Sequence, residues 1–171
     1  MYSQHTQRFI ELTKVLKKTE SKTDTIFYRN GKPHFVNVRS TYEFDGGIAK
    51  NYTGKSNVYY RNGNIARETI QDDFGNYLNV KLFDKKGNLI QERITTEIDN
   101  RAENIDDYLE FKKFGDFKKT INYYKYSRKT KKWYKYKEEF LSLTENQFTE
   151  IRNILDEYGQ IIRTKTRSYE E

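Results

Sequence analysis

LFDKKGNLIQE, residues 82–92, is written again as VYYRNGNIARE at 58–68, as ILDEYGQIIRT at 154–164 and as IFYRNGKPHFV at 26–36. The glycines are Gly87, Gly63, Gly159 and Gly31. Each follows an apolar pair four and five residues back: Leu82/Phe83, Val58/Tyr59, Ile154/Leu155 and Ile26/Phe27. Two residues after the glycine stand Leu89, Ile65, Ile161 and Pro33. Asn30-Gly31 and Asn62-Gly63 are hairpin signals, because both residues tolerate positive φ. Asp84-Lys85-Lys86-Gly87 and Asp156-Glu157-Tyr158-Gly159 reach the same end differently. There the Asp side chain bonds its own backbone to open the turn, and glycine takes the left-handed position. The flanks alternate with period two, which sends Asn79, Lys81 and Phe83 to one side and Val80, Leu82 and Asp84 to the other.

Gly115 reads as a degenerate fifth copy, with Phe111 and Phe117 in the matching places. Residues 121–141, INYYKYSRKTKKWYKYKEEFL, read as two Tyr-rich strands joined through Ser127–Lys131, since Tyr alternating with Lys is a strand pattern. The glycines are unevenly spaced, so a meander of hairpins is expected rather than a rigid solenoid. Longer excursions are expected at 38–56 and 97–107, with one helical turn over Ala102–Asp107. Phe9, Leu12, Val15 and Leu16 give residues 5–19 a short apolar helical stripe. Phe148 reads as a strand start. The expected fold is mainly β: a curled antiparallel hairpin meander in one domain spanning 1–171. An N-terminal segment, 1–22, would carry a short helix, and 23–171 would form the meander.

The chain has 171 residues, 35% hydrophobic and 16% aromatic, with one Pro, fifteen Tyr and eleven Phe. Large rings can bury area where aliphatic residues are scarce, so an ordered chain is expected despite 33% charged residues. Absence of cysteine excludes disulfides, thiolate metal sites and Cys nucleophiles. No apolar run is long enough for a transmembrane helix. The chain as given reads as cytoplasmic. Tyr2-Ser3-Gln4, however, is similar to residues around the cleavage point of exported bacterial proteins. Met1 would then stand in place of a removed signal peptide, and the home would be periplasmic or secreted.

YYRNGN, FYRNGK and FDKKGN resemble the repeats of MORN-like proteins, and are most similar to their bacterial antitoxin or immunity-type branch. FDKKGNLIQE also resembles a YD-type repeat of secreted toxin shells, which 171 residues are too few to build. The resemblance covers roughly residues 24–96 and 150–168. MORN units carry a second glycine group with an aromatic residue beside it. Here the strands run to charged residues instead, and Trp133 stands outside the repeats. The resemblance implies a scaffold whose faces bind proteins, and sometimes lipids.

No nucleotide-binding, metalloprotease or nucleophile-elbow motif occurs. His5 and His34 are far apart in sequence and read as surface or strand histidines. Neighbouring acids such as Asp72-Asp73 and Asp106-Asp107 point apart in a strand, so they read as turn and loop chemistry. No enzyme activity, cofactor or metal is expected. The net charge of +7 permits an anionic partner. It gathers in 112–137, where Lys112, Lys113, Lys118, Lys119, Lys125, Arg128, Lys129, Lys131, Lys132, Lys135 and Lys137 face only Asp116. The candidate contact residues there are Tyr123, Tyr124, Tyr126, Arg128, Lys129, Lys131, Lys132, Trp133, Tyr134 and Tyr136.

The first functional reading is a non-enzymatic protein-binding module, of the immunity or antitoxin type, that inhibits a cognate toxin by covering its surface. A second is nucleic-acid binding through the basic, Tyr-rich hairpin, where rings stack on bases. A third is an envelope-associated module for glycan or lipid. The opposing plain reading is structural: one row of rings packs across strands, and the lysines guard an edge against aggregation. Oligomeric state is left open.

Overall fold

The computed structural model describes residues 5–100, 102–109, 115–144 and 147–170. It is a meander in which each strand pairs only with its neighbours in sequence. The strands are β1 (Lys17–Phe27), β2 (Pro33–Phe44), β3 (Gly47–Tyr59), β4 (Ile65–Gln71), β5 (Tyr77–Phe83), β6 (Leu89–Asn100), β7 (Gly115–Ser127), β8 (Lys132–Leu143), β9 (Gln147–Leu155) and β10 (Ile161–Glu170). They form one antiparallel sheet in the order β1 to β10. The sheet is open, with β1 and β10 as its two edges, and it is not strongly curled as the sequence had suggested.

Strand reversal alternates between the two ends of such a sheet. The turns after odd-numbered strands therefore line one end, and those after β1, β3, β5 and β9 are the repeats read from the sequence. At each of these, the N–H of the first turn residue donates to the carbonyl four residues later, Tyr28 to Lys32, Tyr60 to Asn64, Asp84 to Asn88 and Asp156 to Gln160, while its own carbonyl accepts from the glycine N–H. Glycine sits fourth with positive φ, 89° at Gly87. A register shift beside each turn, such as Leu82/Phe83, marks the accompanying bulge. The Asp84 carboxylate accepts from the backbone N–H of Lys86 and Asn88 at 2.8 and 2.9 Å, and from the Asn88 amide at 2.9 Å. Those bonds hold its carboxyl below the usual range.

Neighbouring turns are stitched together. Tyr28 donates its hydroxyl to the Tyr59 carbonyl at 2.6 Å, and Tyr60 repeats the bond to Phe83 at 2.8 Å. Lys32 and Asn62 donate onward to the carbonyls of Asn62 and Lys85.

Several expectations are corrected. The sheet begins at Lys17, inside the 1–22 segment, because Thr19, Thr23 and Thr25 favour strand over helix. Helix α1 is only Gln7–Thr13, started by Thr6, whose hydroxyl accepts from the Phe9 N–H. The excursion at 38–56 is no excursion. β2 and β3 are long strands that run through it and reverse at Asp45-Gly46. Gly115 turns nothing; it opens β7 opposite Asn100, and Phe111 lies outside the described residues. The helical turn after β6 is α2 (Ile105–Leu109), two residues beyond the expected stretch at its end. Phe148 lies in β9, as read.

A repeat was also missed. Asp72-Asp73-Phe74-Gly75-Asn76 makes the same turn as Asp84–Asn88, with Asp72 accepting from the N–H groups of Phe74 and Asn76. It lies at the opposite end of the sheet. There α1 and α2 pack with it, and Phe9, Ile98, Ala102 and Tyr108 form a buried cluster with Phe74, Leu12 and Leu78 around it. His5 stacks on Phe9 at 5.0 Å and bonds Asp72 at 2.7 Å, which ties the helix to the turn. Asp73 points elsewhere, to Lys18 at 2.9 Å and the Tyr42 hydroxyl. His34 lies on Tyr28 at 4.4 Å.

Away from this cluster no second layer covers the sheet among the described residues. Burial there falls largely on polar residues such as Ser40 and Thr53, whose hydroxyls bond at 2.7 Å, together with Tyr42, Ile121 and Leu155. The accessible surface is 11393 Å². A compact monomer of this mass has about 8,900 Å², so roughly 2,500 Å² of additional surface meets solvent.

Candidate interaction surface

β7 and β8 form the basic, Tyr-rich hairpin, with Tyr123 opposite Lys137, Tyr124 opposite Lys135 and Tyr126 opposite Trp133. Its turn has no glycine. Lys131 takes the left-handed position with φ 54°, and Ser127 accepts from the Thr130 N–H at 3.1 Å. A bulge between Tyr123 and Tyr124 re-aims the side chains towards the turn. The ten candidate residues are thereby sorted into two faces and a tip.

On one face Tyr123, Tyr134 and Tyr136 are half-buried among the lysines. Lys125 lies over the rings of Tyr134 and Tyr136 at 5.4 and 4.8 Å, and Lys137 over Tyr123 at 3.6 Å. The Tyr123 hydroxyl donates to Glu139 at 2.7 Å. Glu139 is buried and also receives Lys137 at 3.2 Å and Arg152 at 2.8 Å, while Arg152 holds Glu150 at 2.7 Å. Burial pushes the Glu139 carboxyl up, but these donors and cations outweigh it and hold it below the usual carboxylate range. Burial, with the Glu139 bond, pushes the Tyr123 phenol up to about 12.

On the other face Tyr124 is half-buried, its phenol raised by burial and by Glu92. Lys135 is bound by Glu138. Tyr126 and Trp133 are exposed, their rings 6.2 Å apart and edge to face. Beside them the turn Asp84–Asn88 leaves an open cleft of about 620 Å³, lined by Lys85, Lys86, Asn88, Tyr126 and Trp133.

Arg128, Lys129, Lys131 and Lys132 form the exposed tip. Glu157 of the β9–β10 turn bonds Ser127 and pairs with Lys129 at 3.2 Å, and the Lys129 ammonium lies over the Tyr158 ring. Arg128, Lys131 and Lys132 have no carboxylate within 4.0 Å among the described residues. Lys112 and Lys113 lie outside the described residues.

The hairpin is thus less basic in space than along the chain. Glu97 pairs with Lys118 at 2.9 Å from β6, and Glu138, Glu139 and Glu157 pair with Lys135, Lys137 and Lys129 of the hairpin itself. Among the described residues Lys119 and Lys125 lie over rings with no carboxylate within 4.0 Å, and the tip keeps Arg128, Lys131 and Lys132 exposed near Tyr126 and Trp133. Sequence reasoning missed the contribution of Lys85, Lys86 and Glu157 to this surface. Their proximity depends on strand order, although the neighbouring-turn spacing was already in the repeat.

No helix among the described residues is long and apolar enough to cross a membrane. No group of three or more metal-ligating side chains gathers among the described residues. Comparison with family models, curated proteins and solved structures finds no match.

Proposed function

We propose that this chain is a non-enzymatic protein-binding module of the immunity or antitoxin type, which disables a cognate toxin by covering part of its surface. The observation that carries the reading is the single-layer sheet, with roughly 2,500 Å² more surface than a compact chain of its mass. A standard protein complex uses about 800 Å² from each partner. Tyr126, Trp133 and Tyr158 are exposed at one end of that sheet, and rings of this kind anchor interfaces at low entropic cost. The acids that pair with the hairpin lysines lower the charge on offer to a phosphate backbone, which favours a protein over a nucleic acid.

The test uses the purified product of the adjacent gene. Trp133 is the only tryptophan. Binding is expected to change its emission and reduce its quenching by acrylamide, and co-expression is expected to relieve that product's toxicity. Unchanged fluorescence and undiminished toxicity with a folded chain overturn the proposal. Shift of a labelled single-stranded oligonucleotide at physiological salt would replace it with the nucleic-acid reading.

A further inference from the structure

β10 is an edge strand whose residues, Ile161–Glu170, are all exposed. Every second N–H and C=O along its outer side faces solvent, which is a template for another strand. Of the devices that commonly close an edge, β10 carries charged side chains but no backbone block. There is no Pro, and the register shift lies beside the turn at Ile161/Arg163, leaving Arg163–Glu170 regular.

Arg163 lies beside Ile154, Lys165 beside Arg152 and Arg167 beside Glu150, so the three cations share one face. None has a carboxylate within 4.0 Å among the described residues. Arg152 already uses Glu139 and Glu150. Across the strands Glu139, Arg152 and Lys165 stand in one row, so the acid is followed by two cations in succession. An acid is missing where an eleventh strand would stand. The reverse face of β10 offers Thr164, Thr166 and Ser168, which are small and leave room for β-branched neighbours.

We propose that the β10 edge receives an extended acidic segment of a partner protein as an eleventh strand. Its Asp or Glu residues at alternate positions lie beside Arg163, Lys165 and Arg167, a span of about 13 Å. Backbone bonds supply the pairing and the alternating charge supplies the choice of partner. A second copy of this chain fits poorly. Two β10 strands would set cation against cation. On the corresponding face β1 offers Glu20, Lys22 and Asp24; Lys22 stands between the two acids and Asp24 is already held by Arg39 at 2.9 Å, which leaves one acid for three cations. The inference rests on the protein-binding reading and names the chemistry of the partner.

The experiment titrates the full chain into a fluorescent nine-residue peptide of alternating Glu and Thr, read by anisotropy. Two further peptides replace Glu by Lys, or carry N-methyl groups on alternate residues of the Glu/Thr peptide. Binding of the Glu/Thr peptide is expected, at least tenfold weaker after N-methylation, absent with Lys, and at least tenfold weaker to K165E/R167E. Both substitutions are exposed, and circular dichroism checks that the sheet is kept. No binding, equal binding of the N-methylated peptide, or indifference to K165E/R167E overturns the proposal. So does self-association of the wild-type chain that K165E/R167E abolishes. If the adjacent gene product binds wild type and K165E/R167E alike, the edge is wrong and the protein-binding reading stands. If it binds neither while the peptide results hold, the edge stands and that reading of the partner falls.

Discussion

Replacing Gly87 by Ala tests the turn chemistry that organises the fold. Gly87 has φ 89°, and a Cβ built there would meet nothing within 4 Å. Steric contact with the rest of the protein is therefore zero, and the cost is backbone conformation alone. A side chain in the left-handed region costs about 1–2 kcal/mol. Ala also restricts the unfolded chain, which returns about 0.4–1 kcal/mol. The net loss is about 1 kcal/mol, or about 2–4 °C in Tm for a chain of this length. Gly87→Asn supplies the contrast, because Asn tolerates that region, and it is expected to lose about half as much or less. Thermal and urea unfolding, followed by circular dichroism and Trp133 fluorescence, measure both variants with the urea slope unchanged. Equal losses for Ala and Asn, or none for Ala, would show that positive φ is not what glycine contributes at this turn.

Tyr60→Phe removes the hydroxyl bond to the Phe83 carbonyl and is expected to cost about 1 kcal/mol by urea unfolding, without altering strand content. Phe9→Ala empties the centre of the buried cluster, at a cost of about 3–5 kcal/mol to the packing of that end. Because the sheet elsewhere does not rest on that cluster, hydrogen exchange should accelerate in α1 far more than in β8. Glu139→Gln should cost about 1–3 kcal/mol, since it leaves Arg152 and Lys137 short of their shared acid. The folded Glu139 carboxyl lies below its ordinary 4.5, so its contribution is full above that value and lost as pH falls through the folded one. The stability of wild type should therefore drop more steeply than that of Glu139→Gln in acid titrations below pH 4.5. Trp133→Phe should leave folding intact and abolish the emission change on partner binding, while Trp133→Ala should weaken that binding at least tenfold if the ring is an anchor.

What the chain announced most plainly was its turns. Four glycines with their Asn or Asp companions sit where local sequence placed them, because a tight reversal is decided within five residues. Gly75 was equally legible, since Asp72-x-x-Gly75-Asn76 repeats the letters of Asp84-x-x-Gly87-Asn88. The length of β2 and β3 was obscured by Asp45-Gly46-Gly47 and Thr53-Gly54, which read as loop, with polar Ser40, Thr41 and Asn51 around them. In a single-layer sheet such residues occupy interior positions, because no apolar face has to be covered. The charge of the hairpin was misjudged for a different reason. Glu97 and Glu157 lie 21 and 28 residues from the lysines they hold, Lys118 and Lys129, and register alone brings them close.

Pairing only between consecutive strands makes the molecule nearly one-dimensional. A force drawn from its two outer strands acts along the ladder bonds of one strand at a time, so the chain would open like a zip instead of failing as a block. Removal of the last hairpin leaves a shorter sheet with the same repeat, and addition of one leaves a longer sheet. Such an architecture can change length by whole hairpins while the distant cluster around Phe9 is undisturbed.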